Sequence, residues 1–465
     1  MGEKLQARRW LGLAVLSLLL SGMLSLALVV GRMPGICDLF TDPLFFKRGL
    51  VAHVDLALIV WFDALLVALI FLLPSRRRVG RLSQLGPFVA LLGMLAFVAA
   101  AAMPGAEPIL SNYVPAIDHP LFAFGICTFG LGVLMAVLDR RLLPSEEIPS
   151  GFFPIPPSAR VGIRAAVLLL LLAALTFGCS VLVTPTGLTA HGYYELVAWG
   201  GGHVMQFASV AGMITVWLIL LGLAIGEDPI DRRIATWLFA VLVIPATAAP
   251  WLALQGTTSG ENHAAFTTMM RWGIFPVTSL FLLLGLRALW RARREGATEI
   301  GKDPRVLAFG ASAALAVLGF VLGALIRGPN TMIPAHYHAS IGAVTVAYMA
   351  IVYPLLGHLE MRLPTTRIRP LIRWQPALFG LGQAIFALGF GVAGHGGMGR
   401  KAYGTEQVVR SLSDYLGLGV MGLGGLIAAA AGLLFLWVVI KAWAGGEAPA
   451  RGEIEWTSES IRSNG

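Results

Sequence analysis

Twelve apolar runs, each long enough to cross a bilayer as a helix, constrain this chain more than any other feature. They fall at about 10–32, 49–74, 84–104, 118–139, 161–184, 192–225, 232–254, 263–289, 305–326, 333–357, 372–393 and 414–442. A hydrocarbon core about 30 Å thick needs roughly 20 such residues. Backbone N–H and C=O groups have no water to bind inside lipid, so each run must satisfy them internally, as a helix does. The expected fold class is therefore all-α: a polytopic membrane protein with twelve transmembrane helices over residues 1–448 and a polar tail at 449–465. Lys4, Arg8 and Arg9 precede the first run as in a secretory signal. That run exceeds a 7–15-residue signal core and lacks a clear A-x-A-like site, so it is read as a helix.

Charge supports this count. Only 13% of residues are charged and 57% are hydrophobic, against about 25% charged in soluble proteins. The net charge of +9 comes from basic residues between the apolar runs, with no continuous basic patch for nucleic acid. With the N-terminus cytoplasmic, 26 of the 34 Lys and Arg fall on the cytoplasmic side, seven on the other and Arg271 within a run. One missed helix would scramble that asymmetry, which also puts both termini in the cytoplasm of a bacterial inner membrane. Cys37, Cys127 and Cys179 are far apart, without CxxC or CxxCH, so neither a zinc knuckle nor a covalently attached c-type haem is encoded.

Ionisable or ligating side chains inside a membrane are costly and point to function. His53 lies a turn into the second run, His203 about three turns into the sixth, His263 at the start of the eighth, and His336 and His338 a turn into the tenth. Even-numbered runs all begin on the outer side, so separate helices bring these five imidazoles to one half of the membrane. Successive helical residues turn by about 100°, which aims His336 and His338 roughly 200° apart. Two metals or two flat cofactors on opposite sides of one helix fit that divergence better than one chelated ion. Haem iron often takes an axial histidine, and a six-coordinate haem needs a second from another helix. His53 is the available partner for His338, leaving His336 for a five-coordinate haem and His203 with His263 for a metal facing it. Gly200, Gly201 and Gly202, just before His203, lower helix propensity by about 1 kcal/mol each. They let either a neighbouring helix or a porphyrin approach closely.

Histidines on helices 2 and 6, one after helix 7 and an HxH pair on helix 10 resemble subunit I of the haem-copper oxidoreductase superfamily across essentially the whole chain. The resemblance implies a subunit I-like bundle with a low-spin haem on His53 and His338, a high-spin haem on His336, both expected to be b-type, and a non-haem metal on His203 and His263. It also matches Arg400 and Lys401 to a basic pair near the haem propionates.

Three departures shape the expected chemistry. Where the family has two adjacent histidines after helix 7, this chain has Glu261-Asn262-His263. Asn262 or Glu261 would then supply a hard oxygen ligand, favouring iron and leaving copper open. Oxygen-reducing members carry a tyrosine on helix 6, four residues after the histidine, or on helix 7. Here position 207 is Phe, residues 232–254 contain no Tyr, and Tyr193 and Tyr194 lie two to three turns away. Finally, the lysine and acid pathways of proton-pumping oxidases are not apparent, so protons are expected from the outer side by way of Glu195 and Glu261, with Gln206 near the metal.

The resulting expectation is a nitric oxide reductase-like enzyme. Its electrons are expected from an outer-side donor, which is a partner subunit carrying a cupredoxin or cytochrome c domain, a soluble protein of those kinds, or quinol, and its surroundings are membrane lipid. The rivals are a terminal oxidase with an atypical site, a proton-coupled transporter without haem, and a degenerate scaffold keeping only the low-spin haem. Asp55 and His119, near helix starts with water at hand, are read as structural.

Overall fold

The computed structural model describes residues 2–30, 44–75, 77–143, 151–361, 369–400 and 411–445. Twelve helices in it are long and apolar enough to cross a membrane. In chain order they are α1 Gly2–Val30, α2 Phe45–Phe71, α3 Arg81–Ala100, α4 Pro120–Val137, α5 Pro157–Val183, α6 Ala190–Ile225, α7 Arg232–Leu254, α8 Gly260–Arg294, α9 Pro304–Ala324, α10 Met332–His358, α11 Arg369–His395 and α12 Leu412–Trp443. The helix count matches the expectation, with shifted ends. α1 starts well before residue 10 because Gln6, Ala7 and Trp10 are buried, so packing extends the helix past the apolar run. α7 is broken around Ala248, where Pro245 and Pro250 each remove a backbone donor. α2 widens into a π-helical turn at Leu56–Val60, directly after His53 and Asp55.

The chain forms two compact units, one of residues 1–215 and 231–281 and the other of residues 216–230 and 282–465. α6 and α8 give their first stretches to one unit and their later stretches to the other.

In the first unit, α3 and α4 pack backbone to backbone. A Cβ on Gly93 would lie 2.2 Å from the Phe129 nitrogen, and one on Gly125 would lie 2.4 Å from that of Phe97. Such contact suits lipid, where dispersion and close approach hold helices together without a hydrophobic driving force. Between these helices the chain departs from all-helical structure. Strand β1, Glu107–Ile109, pairs antiparallel with β2, Ala116–Asp118, in register Glu107 to Asp118 and Ile109 to Ala116. Pro108 and Pro115 disfavour a helix here, while Ile109, Ala116 and Ile117 are buried. Arg48 of α2, 1% exposed, donates from Nε to the Ala101 carbonyl at 3.0 Å and from Nη1 to the Ala106 carbonyl at 3.1 Å. A guanidinium thus meets the C-cap carbonyl of α3, a favourable dipole arrangement, and through Ala106 anchors the approach to the hairpin.

In the second unit α11 and α12 are equally close, with a Cβ on Gly389 falling 2.3 Å from the Met421 nitrogen and one on Gly424 2.2 Å from that of Phe386. Buried polar groups are paired across helices. Trp217 donates to Ser312 at 2.8 Å, and Ser312 donates to the Ala343 carbonyl at 2.7 Å. Tyr353 donates to Gln375 at 2.8 Å, whose amide donates to the Ala431 carbonyl at 3.1 Å. α2, α6 and α10 are the most enclosed spans, 78%, 78% and 89% buried against 33–44% for the rest. These are the helices that carry His53, His203 and the His336–His338 pair.

Candidate haem and metal ligands

His203 is fully buried on α6, with Nδ1 2.7 Å from the Trp199 carbonyl oxygen one turn earlier. A carbonyl only accepts, so Nδ1 carries the hydrogen and Nε2 presents its lone pair. The Tyr113 hydroxyl donates to that nitrogen at 2.9 Å, with the two ring centres 4.2 Å apart. Trp199 completes the cluster, its ring 4.9 Å from His203 and stacked on His263 at 4.7 Å.

Tyr113 was not among the sequence candidates. It comes from the connection between β1 and β2, far from α6 and α7 in the chain. Its φ of 66° lies in the left-handed region, and Val114 N–H donates to the Asn112 carbonyl at 2.8 Å across it, a γ-turn. A non-glycine residue held this way costs about 1–3 kcal/mol and persists only when its surroundings enforce it. Glu195 of α6 does so: its carboxylate accepts the Asn112 backbone N–H at 2.8 Å and also the Asn112 side-chain amide. Burial first, and the Glu195 carboxylate second, push the Tyr113 phenol above its ordinary pKa, so it is a neutral donor. The sequence signal was the Ser-Asn-Tyr-Val-Pro stretch, which marks a turn without saying where the turn points.

The three glycines before His203 serve aromatic packing. An added Cβ would lie 2.8 Å from the Phe266 ring at Gly200, 2.4 Å from the Phe177 ring at Gly201, and 2.4 Å from the Tyr113 Cβ at Gly202. Any side chain at residue 202 would drive Tyr113 off the helix.

Glu261, Asn262 and His263 open α8. Glu261 is exposed in the first turn of α8. Asn262 is buried and donates its amide to the Leu252 carbonyl at 2.8 Å, which ties it to α7. His263 Nε2 lies 3.1 Å from the Thr257 carbonyl, leaving Nδ1 as its available nitrogen. Among the described residues no three His, Cys, Asp or Glu side chains come together as a metal-binding group. Gln206 is half-buried on α6.

His53 repeats the arrangement of His203. Its Nδ1 lies 2.9 Å from both the carbonyl and the hydroxyl of Ser21 on α1, so Nε2 is again the lone-pair nitrogen. Asp55, two residues on, is fully buried, correcting its reading as a water-accessible helix end. Neither of its carboxylate oxygens has a hydrogen-bond partner among the described residues, nor does the Trp199 indole nitrogen. Orphaned buried polar groups are rare and mark a missing partner such as water, an ion or a cofactor. His119, by contrast, is structural: its Nδ1 caps α4 through the Leu121 N–H at 3.1 Å.

In the second unit His336 Nδ1 lies 2.7 Å from the Gly319 carbonyl of α9. A Cβ on Gly323 would come within 2.8 Å of that imidazole nitrogen, so glycine one turn further along α9 makes room for the ring. His338 leaves α10 toward α11, with its ring 4.5 Å from that of Phe386 and 6.0 Å from that of Phe390. The pair therefore diverges toward different neighbouring helices, as the 100° step requires. Arg400 follows the Gly399 bridge to Asn330, half-exposed; Lys401 lies outside the described residues, as does the 449–465 tail.

No protein-family model matches the chain. It is 30% identical over 351 residues to an uncharacterized protein of Aquifex aeolicus, covering 75% of this chain and 84% of that relative. It is 25% identical to an uncharacterized protein of Rickettsia prowazekii, with 94% and 95% covered. Its fold is similar to a chain from the cryo-EM structure of a heme-copper terminal oxidase dimer, with a TM-score of 0.72 at 16% identity, covering 98% of this chain and 86% of that one. At that identity the likeness establishes the fold.

Proposed function

The chain belongs to one family with the uncharacterized Aquifex aeolicus protein and has the fold of a heme-copper oxidase chain, and from that premise we propose that it is a membrane oxidoreductase with two haems and one non-haem metal that reduces nitric oxide. The observation that carries the reading is a repeated clamp. His53, His203 and His336 each put Nδ1 on a backbone carbonyl at 2.7–2.9 Å, the outer hydrogen bond that fixes a metal-ligating imidazole in the correct tautomer. Asp55 and Trp199 add buried polar atoms that lack a partner among the described residues, in keeping with a cofactor-bearing interior.

His53 and His338 are the proposed axial ligands of a low-spin haem, His336 that of a high-spin haem, and His203 with His263 ligands of the non-haem metal. When bound, these groups supply the redox chemistry, and the protein supplies ligation and orientation. Two NO, two electrons and two protons give N2O and water. Glu195 holds the turn that carries Tyr113, and Arg400 and Lys401 are proposed to pair with propionates. Electrons come from a partner subunit with a cupredoxin or cytochrome c domain, a soluble donor or quinol, because the chain has no CxxCH.

Dioxygen is the second reading, and Tyr113 favours it by bringing a phenol to His203, which neither position 207 of α6 nor α7 supplies. Purified protein should show Soret and alpha bands, two haems by pyridine haemochrome and one non-haem metal per chain. Reduced protein should then consume NO with stoichiometric N2O. Rapid water formation from O2 with negligible N2O would replace the nitric oxide assignment, and a chain without haem would favour a transporter.

A further inference from the structure

We propose that the Tyr113 phenol oxygen is a direct ligand of the non-haem metal, paired with His203 in place of the histidine that Asn262 does not provide. The proposal rests on the reading above. The hydrogen bond from Tyr113 Oη to His203 Nε2 is 2.9 Å long. Two donors about 2.0–2.1 Å from one metal ion, at a right angle, are separated by about the same distance, so the spacing of the two atoms suits adjacent coordination positions. A bound cation takes the place of the shared proton and becomes the largest local charge. On loading, the phenol O–H bond breaks, an oxygen–metal bond forms and the proton leaves to water, with no electron transferred. A phenol oxygen is a hard donor that favours iron.

Three features hold the ring there. The Tyr113 backbone has a φ of 66°, Glu195 bonds Asn112 twice, and Gly202 lacks the Cβ that would fall 2.4 Å from the Tyr113 Cβ. Ordinary packing of an aromatic ring on a helix requires neither a left-handed residue nor a carboxylate anchor at its base.

The test is resonance Raman spectroscopy of iron-loaded, oxidised holoprotein grown on ring-deuterated tyrosine, with non-haem iron and haem quantified on the same samples. Wild-type protein is expected to show phenolate modes that shift with the label, a signature haem cannot mimic. Tyr113→Phe should keep both haems, lose those modes and bind non-haem iron at least tenfold more weakly. Gly202→Ala, which displaces the ring without removing its hydroxyl, should lose the same modes. Wild-type protein holding haem and non-haem iron without label-sensitive modes overturns this proposal alone, as does Tyr113→Phe with undiminished modes and iron. Wild-type protein without haem overturns the underlying reading as well. Should Tyr113→Phe lose haem through misfolding, the labelled wild-type spectrum decides.

Discussion

A hydrogen on Nδ1 is a small feature, yet it determines which nitrogen of an imidazole keeps its lone pair. Ser21, Trp199 and Gly319 present carbonyls to three imidazoles, and each Nε2 is thereby kept as a lone-pair donor. His263 shows the opposite arrangement, with Nε2 on the Thr257 carbonyl, so its part in a metal site goes through Nδ1. Replacing His336 with Ala should lower the haem content from two per chain to one, and added imidazole should restore the second through the space left by the ring. Pyridine haemochrome assay reads this directly, and two retained haems would exclude His336 as a sole axial ligand. The histidine positions were legible in the sequence because buried imidazoles in lipid are rare and costly. Tyr113 was not, because its approach to His203 is made across a hairpin, and helical spacing says nothing about it.

Helices here meet through missing side chains. α3 and α4 close on Gly93 and Gly125, and α11 and α12 on Gly389 and Gly424, each at distances a Cβ cannot occupy. Gly389→Leu should therefore force α11 from α12 and cost more than the about 1–3 kcal/mol typical of overpacking, seen as a lower melting temperature in detergent. Gly422→Leu on the same helix pair meets nothing within 4 Å and should melt like the wild type. Equal stability of the two variants would refute the close-packing account. Run lengths revealed the helices, because bilayer thickness sets a minimum, and misplaced their ends, because burial of Gln6 and Ala7 lies outside the apolar run. The β1–β2 hairpin escaped the all-helical expectation since six paired residues form no periodic signal.

Across the molecule, basic residues predict a topology with both termini on one side. Reporter fusions after residue 146, in the stretch joining α4 and α5, should be active only in the cytoplasm, and fusions after residue 187, between α5 and α6, only outside. The reverse pattern would invert the membrane and remove the outer-side donor from the proposal. Twelve spans, and the expectation of five histidines in one half of the membrane, follow from linear chemistry, since apolar length and charge bias act on each segment independently of its neighbours. The partners of those histidines do not. The His53 and His336 tautomers set by carbonyls of other helices, a phenol held by Asn112 and Glu195, and an Asp55 carboxylate without a partner among the described residues arise only when separate helices pack, because hydrogen bonds reach about 3 Å and chain order does not specify which groups come that near.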